Sequence, residues 1–437
     1  MLATLKNAFK IKELREKIFF TFAMLVVIRI GSQLPVPGVN SEYFKSWFAG
    51  QSNGAFGFLD AITGGSFINM SILALNISPY ITSSIIVQLL TIAIPKLEEM
   101  QRDGEDGRKK ITTITRYVTI ALALIQSTAM SVGFGRQGYL INYNALSVIC
   151  AIATLTAGSA FLMWVGEQIT EKGIGNGISI VLVINIISRL PEDLRNLFEQ
   201  FVFGKAPATA VLAAVVILAI IVGMVVLVII LNDGVRRIPV QYANKVQGRK
   251  MVGGQTSNIP LKVNTAGVIP VIFAQSLMQL PIMISSFAGY SGTGVWSEIL
   301  KYLDAGYWCK PGQLKYSIGL LAYIVLIIFF AYFYTSITFN PLMIADNMKK
   351  QGGFIPGIRP GKPTSDYLNK VLNYIVFVGA VGLTIIAILP YFFSGVFNAS
   401  VSFGGTSLII IVSVVLETMK QMESMMLVRN YKGFLEK

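Results

Sequence analysis

Ten apolar runs, most of them long enough to cross a lipid bilayer, shape this sequence of 437 residues. About 20 consecutive apolar residues span the hydrocarbon core as a helix. Helices are favoured there because lipid cannot satisfy exposed backbone N–H and C=O groups. The runs occupy residues 18–35, 71–94, 117–134, 145–166, 174–190, 208–231, 265–288, 317–340, 371–393 and 405–428. The sequence therefore predicts an all-α polytopic membrane protein with ten transmembrane helices, although the fifth run is short and the tenth carries Glu417 and Lys420.

The basic residues fall mainly on one of the two sides that ten spans define. With Lys420 included, 27 of the 36 Lys and Arg residues lie on the side of the N-terminus, and 8 lie on the opposite side. Cytoplasmic loops of membrane proteins carry such an excess of Lys and Arg. We therefore expect both termini in the cytoplasm, with residues 1–17 as a cytoplasmic N-terminal segment. The net charge of +14 follows from this topology and does not by itself indicate nucleic-acid binding.

Two long loops on the basic side have sequences that predict ordered structure. Residues 232–264 contain RRIPVQY and KMVGGQTSNIPLKV, whose short alternation predicts a β-hairpin. Residues 341–370 contain GGFIPGIRPGKPTSD (352–366), whose glycines and prolines predict an ordered loop without helix. Both loops are basic, with six Lys and Arg against one acid in the first and five against two in the second.

The composition argues against an enzyme, a metal site and a bound cofactor. The chain has no histidine, which removes the usual general base, the commonest metal ligand and any H-E-x-x-H helix. The sequence GIRPGKPT is not a phosphate-binding loop, because Pro356 and Pro363 stand where that motif needs Gly and Ser or Thr. Few ionisable residues lie inside the apolar runs, with Arg29 and Glu417 as the main exceptions. Coupling of transport to an ion through buried carboxylates is therefore not expected.

Residues 56–70, FGFLDAITGGSFINM, form an unusual junction before the second run. The segment is too short and too polar to span a bilayer, yet it is too apolar for an ordinary exposed loop. Asp60 is its one charged residue, and the pair Gly64-Gly65 interrupts it. Non-helical backbone at membrane depth is tolerated where it is buried in protein or lines a cavity. Taken alone, these residues favour a re-entrant loop at the membrane interface.

Six motifs follow one another along the chain, in loops as well as in apolar runs. They are PYITSSIIVQLL (79–90), GEDGRKKITTITRY (104–117), GEQITEKGIGNGIS (166–179), PLKVNTAGVIPVIFAQS (260–276), FNPLMIADNMKKQGGFIPGIRPGKPT (339–364) and FGGTSLIIIV (403–412). Together they resemble the bacterial SecY family, whose members form the pore of the protein-conducting channel. The resemblance implies two inverted five-helix halves around a central hourglass pore. In this chain the halves would be residues 18–195 and 207–430.

The resemblance also implies roles for three sets of residues near the pore. The segment at about 57–70 would be a plug that closes the outer funnel, with Phe58, Leu59, Asp60, Ile62, Gly64, Gly65 and Phe67. A ring of bulky aliphatic residues, which excludes ions by dewetting, would comprise Ile77, Ile81, Ile178, Leu182, Ile272 and Ile410. A lateral gate toward lipid, between the second and third spans on one face and the seventh and eighth on the other, would be lined by Thr82, Ser83, Gln88, Gln275 and Ser276.

The two basic loops, 232–264 and 341–370, are the docking sites that the resemblance implies for the ribosome or the SecA motor ATPase. The candidate contacts are Arg236, Arg237, Arg249, Lys250 and Arg359. Topology alone requires basic charge, but it does not require an arginine held in a Gly- and Pro-rich loop, so Arg359 is the strongest candidate. Ribosomal RNA would attract these residues through its phosphates, and a motor protein would attract them through an acidic surface.

The expected partners and location also come from the resemblance. SecE and SecG subunits would accompany the chain in the bacterial plasma membrane. Signal-bearing precursor proteins would pass through the pore, and hydrophobic segments would leave sideways into membrane lipids. The alternative of a secondary transporter for small solutes would require an ionisable cluster near the midplane, which the sequence lacks. An intramembrane enzyme would require histidine or paired intramembrane carboxylates, which the sequence also lacks.

Overall fold

The computed structural model describes residues 9–49, 60, 62–136, 138–203, 207–242, 245–247, 250–252, 256–287, 294–397 and 405–435. The helices in these residues are α1 (Lys12–Gly31), α2 (Ser41–Ala49), α3 (Ser78–Ala93), α4 (Pro95–Arg102), α5 (Glu105–Arg136), α6 (Ala145–Lys172), α7 (Gly177–Phe201), α8 (Pro207–Asp233), α9 (Ile269–Phe287), α10 (Val295–Leu303), α11 (Ile318–Thr338), α12 (Pro341–Lys350), α13 (Lys362–Phe397) and α14 (Gly405–Leu435). The strands are β1 (Val235–Tyr242), β2 (Lys245–Gln247), β3 (Lys250–Val252), β4 (Thr256–Lys262) and β5 (Gly353–Phe354).

Each of the ten predicted spans overlaps one of these helices, namely α1, α3, α5 to α9, α11, α13 and α14. Within the described ranges, five helical stretches combine at least 18 residues with a strongly apolar segment that carries few charges. A sixth span results if α3 and α4 are counted together, because these two helices meet at a bend of 108°. The remaining predicted spans are shorter or carry more charge. The prediction of an all-α polytopic membrane protein is confirmed.

The second predicted span, 71–94, is helical only from Ser78. The preceding residues form turns, in which Asn76 adopts a left-handed φ of +51°. This region favours Asn over most other non-glycine residues. The turns are tied to the chain before α2 by an antiparallel bridge between Ser71 and Pro35. The chain therefore enters α3 through buried irregular backbone.

The helices form two groups, α1 to α7 and α8 to α14, in which most of the extensive helix contacts lie within one group. Across the groups, α7 contacts α8 and α14, and α5 contacts α9. This grouping is compatible with the predicted halves 18–195 and 207–430. Helix α7 continues to Phe201, beyond the end of the first predicted half.

The two basic loops fold into one unit. Strands β1 and β4 pair antiparallel from Val235 opposite Lys262, and β2 pairs with β3, so the predicted hairpin is confirmed. Strand β5 of the second loop adds to the other edge of β1, which gives the strand order β4-β1-β5. Residues of both loops share one apolar cluster, with Ile238 from β1 and Ile355 just after β5 among its buried members.

The prediction that residues 352–366 lack helix is wrong for their last part. Helix α13 begins at Lys362, directly after Gly361, whose φ is +98°. Glycine adopts such positive φ values at little cost. Pro363 then occupies the first turn of the helix, where proline's missing N–H is tolerated. Residues 352–361 are non-helical, as predicted.

Candidate functional site

A cavity of about 800 Å³ lies within the bundle. Its charged lining residues are Lys109 and Arg116 near the start of α5, and Glu167 and Glu171 near the end of α6. Arg116 Nε and Glu167 Oε1 form an ion pair of 2.7 Å that joins these two helices. These charged residues lie at one end of the helix bundle. We call it the basic-loop end, because the loops with the excess of Lys and Arg lie there.

Five of the six predicted ring residues line this cavity: Ile81, Ile178, Leu182, Ile272 and Ile410. They come from α3, α7, α9 and α14, and hence from both helix groups. Leu182 and Ile410 are buried in one apolar cluster, against which Ile81 and Ile272 pack. Ile178 packs against the neighbouring cluster between α1, α3 and α6. We call these five residues the constriction, after the role that the resemblance predicts for the ring.

The sixth predicted ring residue, Ile77, has a different position. It precedes the first residue of α3 and is buried in the apolar cluster that includes Ile28 of α1 and Leu162 of α6. It is absent from the described lining of the cavity. The structure therefore places Ile77 in the packing of the first helix group.

The segment predicted to be a plug, of which the structure describes residues 60 and 62–70, lies on the other side of the constriction from the cavity. We call these described residues the plug segment. Ile62 is buried in the same apolar cluster as Leu182 and Ile410. Along α7, the cavity is lined by residues up to Leu182, whereas contacts with the plug segment involve Ser188 and Arg189. A helix rises 1.5 Å per residue, so these contacts lie roughly 10 Å further along α7. The constriction thus separates the cavity from the plug segment.

Backbone groups of the plug segment are held by side chains of neighbouring elements. The carbonyl oxygen of Gly64 accepts hydrogen bonds from Arg29 Nη1 at 3.3 Å and from Ser188 Oγ at 3.4 Å. The carbonyl oxygen of Ile62 accepts one from Asn76 Nδ2 at 3.1 Å. Buried backbone groups need such partners, because leaving them unpaired costs free energy. These contacts fix the irregular backbone in one position.

Asp60 forms the charged contact of the plug segment. Its Oδ2 lies 2.6 Å from Arg189 Nη2, and its side chain is fully buried while that of Arg189 is 16% exposed. Its Oδ1 accepts a hydrogen bond from the backbone N–H of Ile68 at 3.2 Å. Burial raises the pKa of Asp60 to about 6, although Arg189 and the Ile68 N–H act in the opposite direction. Arg189 also contacts Glu192 Oε2 at 2.7 Å.

Aromatic packing anchors the later part of the plug segment. Phe67 lies edge-on to Phe44 of α2, with ring centroids 5.5 Å apart, and to Phe134 of α5 at 6.4 Å. Edge-to-face pairs at such distances are favourable. The predicted plug residues Phe58 and Leu59 lie outside the described residues.

The predicted lateral-gate residues lie in three environments. Gln88 lines the cavity. Ser83 hydrogen-bonds Thr119 of α5, within the first helix group, and Gln275 accepts a hydrogen bond from Tyr391 of α13, within the second. The other two predicted residues, Thr82 and Ser276, are partly exposed on α3 and α9.

The predicted docking residues lie in or beside the unit formed by the two basic loops. Arg236 and Arg237 are exposed on β1. Lys250 is the first residue of β3, and Arg249 lies outside the described residues. Arg359 is exposed, and its carbonyl oxygen accepts a hydrogen bond from Thr364 Oγ1 at 2.8 Å. That bond holds the backbone of Arg359 against the first turn of α13.

The described ranges contain no group of three or more His, Cys, Asp or Glu residues arranged to hold a metal ion.

Sequence reasoning missed Arg189 as a partner of the plug segment. Arg189 lies at the end of the fifth apolar run, where a basic residue resembles an ordinary flank of a membrane span. The signal was its position inside the run, because intramembrane charges usually have a specific partner. Asn76 carried a similar signal as a polar residue in the second run.

A profile of the SecY family matches residues 71–419 of the chain. A relative from Halalkalibacterium halodurans, named protein translocase subunit SecY, is 44% identical over 447 residues, and the comparison covers 100% of both chains. The resemblance noted from the motifs is therefore confirmed along the whole chain.

Solved structures share the fold. One concerns the SecY protein, whose plug domain is described as stabilising the closed state of the translocation channel and maintaining a membrane seal. It has a TM-score of 0.59 at 18% identity and covers 94% of this chain and 92% of its own. Another contains Sec61 in a canine ribosome–channel complex from the endoplasmic reticulum, with the same TM-score, identity and coverage. Sequence and fold agree: the chain belongs to the SecY family.

Proposed function

We propose that this chain is the pore-forming subunit of a protein translocation channel in the bacterial plasma membrane. The observation that carries the proposal is the constriction, which lies between a cavity and the buried Ile62 of the plug segment. Aliphatic side chains exclude ions by dewetting and offer no hydrogen bonds to a passing chain. Such a passage suits unfolded polypeptides of any sequence, and the channel itself would need no catalytic site or cofactor.

The family supports a protein channel rather than a secondary transporter of small solutes, since its curated members are named translocase subunits. The chemistry of the constriction agrees with this choice. A transporter site near the midplane usually contains ionisable or polar groups that bind one solute and its coupling ion. The five constriction residues are all aliphatic.

A lateral gate would open where α5 of the first helix group contacts α9 of the second. Ser83 and Gln275 support this function because, within the described residues, neither forms a hydrogen bond across the gate. The partner of Ser83 lies in the first helix group, and that of Gln275 lies in the second. Separation of the groups would leave both side chains satisfied. Interhelical hydrogen bonds in membranes contribute modestly, about 0.6 kcal/mol on average, so a gate without many of them opens at little cost.

The proposed orientation puts the basic-loop end and both termini in the cytoplasm, following the positive-inside rule. The unit formed by the two basic loops would then dock SecA or the ribosome, and SecE and SecG would bind elsewhere on the chain. A related Sec61 channel occurs in a complex with a ribosome, which supports the ribosome as a partner. SecA would provide energy from ATP hydrolysis, and signal-bearing precursor proteins would be the substrates.

Reconstitution tests the proposed function. The chain is purified with a SecE partner into liposomes, and SecA, ATP and an unfolded precursor with a signal sequence are added. We expect the precursor to become protected from added protease, and the protection to require both ATP and the signal sequence. A correctly inserted channel with an active motor that gives no protection would contradict a polypeptide channel.

Arg359→Glu should impair motor-driven translocation several-fold while leaving insertion of the channel intact. The Arg359 side chain is exposed on a backbone held by Thr364, so the change reverses a charge without removing a buried contact. Reversal of one charge at an interface mainly slows association. Arg15→Glu, an equal charge change at an exposed position of α1 outside the two basic loops, is the matched control. Equal rates of precursor protection for the two variants would remove Arg359 from the docking site.

A further inference from the structure

The plug segment is attached to the first helix group by polar contacts. Asp60 contacts Arg189 of α7, and the carbonyl oxygen of Gly64 accepts from Arg29 of α1 and from Ser188 of α7. Helix α14 of the second group contributes apolar contact, through Ile410 in the cluster that holds Ile62. Apolar contact is non-directional, whereas the polar contacts have fixed geometry. The position of the plug segment is therefore set mainly by the first group.

The contact between Asp60 and Arg189 is a buried ion pair, and such pairs have two opposing energetic effects. Removing two charges from water costs free energy that their attraction often fails to recover. Removing one partner costs more, because the other charge then stays buried without compensation. In this pair the two side chains are buried to different extents. Asp60 is fully buried, while Arg189 is 16% exposed and keeps a second carboxylate, Glu192, at 2.7 Å.

We propose that Arg189 is a positioning residue that compensates the buried Asp60 charge and so permits the plug segment to occupy the closed pore, and that burial of the pair leaves the closed plug metastable. When the plug segment moves out, both charged groups regain water, so the cost of their burial favours opening. When it returns, Arg189 of α7 gives the Asp60 carboxylate a cation at 2.6 Å. This inference rests on the proposed function, since it assigns a role to the plug of that same pore.

The unequal burial predicts unequal effects of two conservative substitutions. Arg189→Gln leaves the Asp60 carboxylate buried without its cation, so the closed state should be destabilised and the ion leak should rise about tenfold or more. Asp60→Asn removes the buried charge, and Arg189 remains beside Glu192, so the leak should stay within about twofold of the unchanged channel. The double variant should return the leak close to that of Asp60→Asn alone.

Lowering the pH on the side of the membrane that the plug segment faces should reduce the ion leak. The charged groups that act on Asp60 are Arg189, Glu192 and Asp193 of α7, and Arg29 of α1 contacts the nearby Gly64 carbonyl. Burial raises the Asp60 pKa to about 6 in the closed state, above its ordinary value of 3.8. The closed state therefore binds the proton more tightly than an open state with Asp60 in water. Closure is favoured as the pH falls through about 6, and a rise in pH removes that benefit.

The same linkage should be stronger in Arg189→Gln, because the cation that lowers the Asp60 pKa is gone. The leak of this variant should fall steeply when the pH on the plug side is lowered from about 8 to about 5. Variants that carry Asp60→Asn should lose this part of the pH response. A merely structural role for Arg189 would give no response that depends on Asp60.

The experiment uses the full chain with its SecE partner in planar bilayers, and it records conductance without precursor. The variants are Asp60→Asn, Arg189→Gln and their combination. Arg195→Gln is the matched control, since Arg195 lies on the same helix, is exposed and pairs with Glu199. The conductance of each bilayer is recorded before and after the pH is lowered, so every variant is compared with itself. A poorly folded variant is recognised by a leak that acid does not reverse.

The expected result is a high, acid-reversible leak in Arg189→Gln that Asp60→Asn suppresses. The proposal is overturned if Arg189→Gln leaks no more than Arg195→Gln, or if the second substitution fails to suppress the leak. Precursor protection is measured in parallel on the unchanged channel. It distinguishes a failure of the positioning role of Arg189 from a failure of the proposed function. If the precursor is protected but substitutions of Asp60 and Arg189 do not change the leak, only the positioning role is contradicted. If the precursor is not protected, the proposed function is contradicted.

Discussion

Serine at Leu182, Ile272 and Ile410 together should turn the closed channel into a steady ion leak. These three residues come from α7, α9 and α14 and meet in one apolar cluster at the floor of the cavity. An aliphatic constriction blocks ions because water leaves a narrow apolar passage. Serine is smaller and its hydroxyl holds water, so the constriction would become both wider and wet. We expect conductance without precursor to rise by about tenfold or more, the equivalent of at least about 1.4 kcal/mol in the barrier.

Matched controls lie on the same three helices. Ile187, Leu277 and Val415 each lie five residues after a constriction residue and are at least 40% exposed, so serine there should not affect the pore. Each serine in the constriction also removes buried apolar atoms at a cost of about 2–5 kcal/mol, and single substitutions therefore accompany the triple. If the triple variant folds and conducts no more than its control, the ion barrier lies elsewhere in the chain.

The sequence motifs predict six ring residues, of which five line one cavity. Ile77 lies in the neighbouring apolar cluster, against which Ile81 and Ile178 pack. The motifs place Ile77 and Ile81 on either side of SPY in the second predicted span. Helix α3 begins only at Ser78, because Asn76 takes a left-handed φ and the chain before it forms turns. An apolar run in the sequence does not reveal where its helical part starts, since turn residues in a buried segment are as apolar as helical ones.

The spans were predictable because lipid imposes a simple rule, about 20 apolar residues for each crossing. The pairing of the two basic loops was not. Each loop showed local signals, a hairpin in one and a Gly- and Pro-rich turn in the other. The pairing of Phe354 with Gln241 joins segments far apart in the chain, and no local pattern encodes such a pairing. The same limit hid the ion pair between Asp60 and Arg189.

Gly64→Ala should destabilise the closed position of the plug segment. Gly64 has a φ of +64°, which an alanine adopts at a cost of order 1 kcal/mol. A Cβ at this position would lie 2.6 Å from the carbonyl oxygen of Asn185 and 2.8 Å from its Cα. Both atoms belong to the backbone of α7, which cannot move aside as a side chain could. The plug segment would have to retreat from α7 and so weaken the contacts that Ser188 and Arg189 make with it.

Gly65→Ala is the control that isolates this steric effect. Gly65 also has a positive φ, +84°, but a Cβ there meets Arg189 Cδ at 3.8 Å, an ordinary contact. Both variants therefore carry backbone strain, and Gly64→Ala adds overpacking of about 1–3 kcal/mol. That difference corresponds to a roughly five- to 140-fold higher open fraction. Equal leak conductance for the two alanine variants would mean that close approach of residue 64 to α7 does not hold the pore closed, and the seal would then depend on the constriction alone.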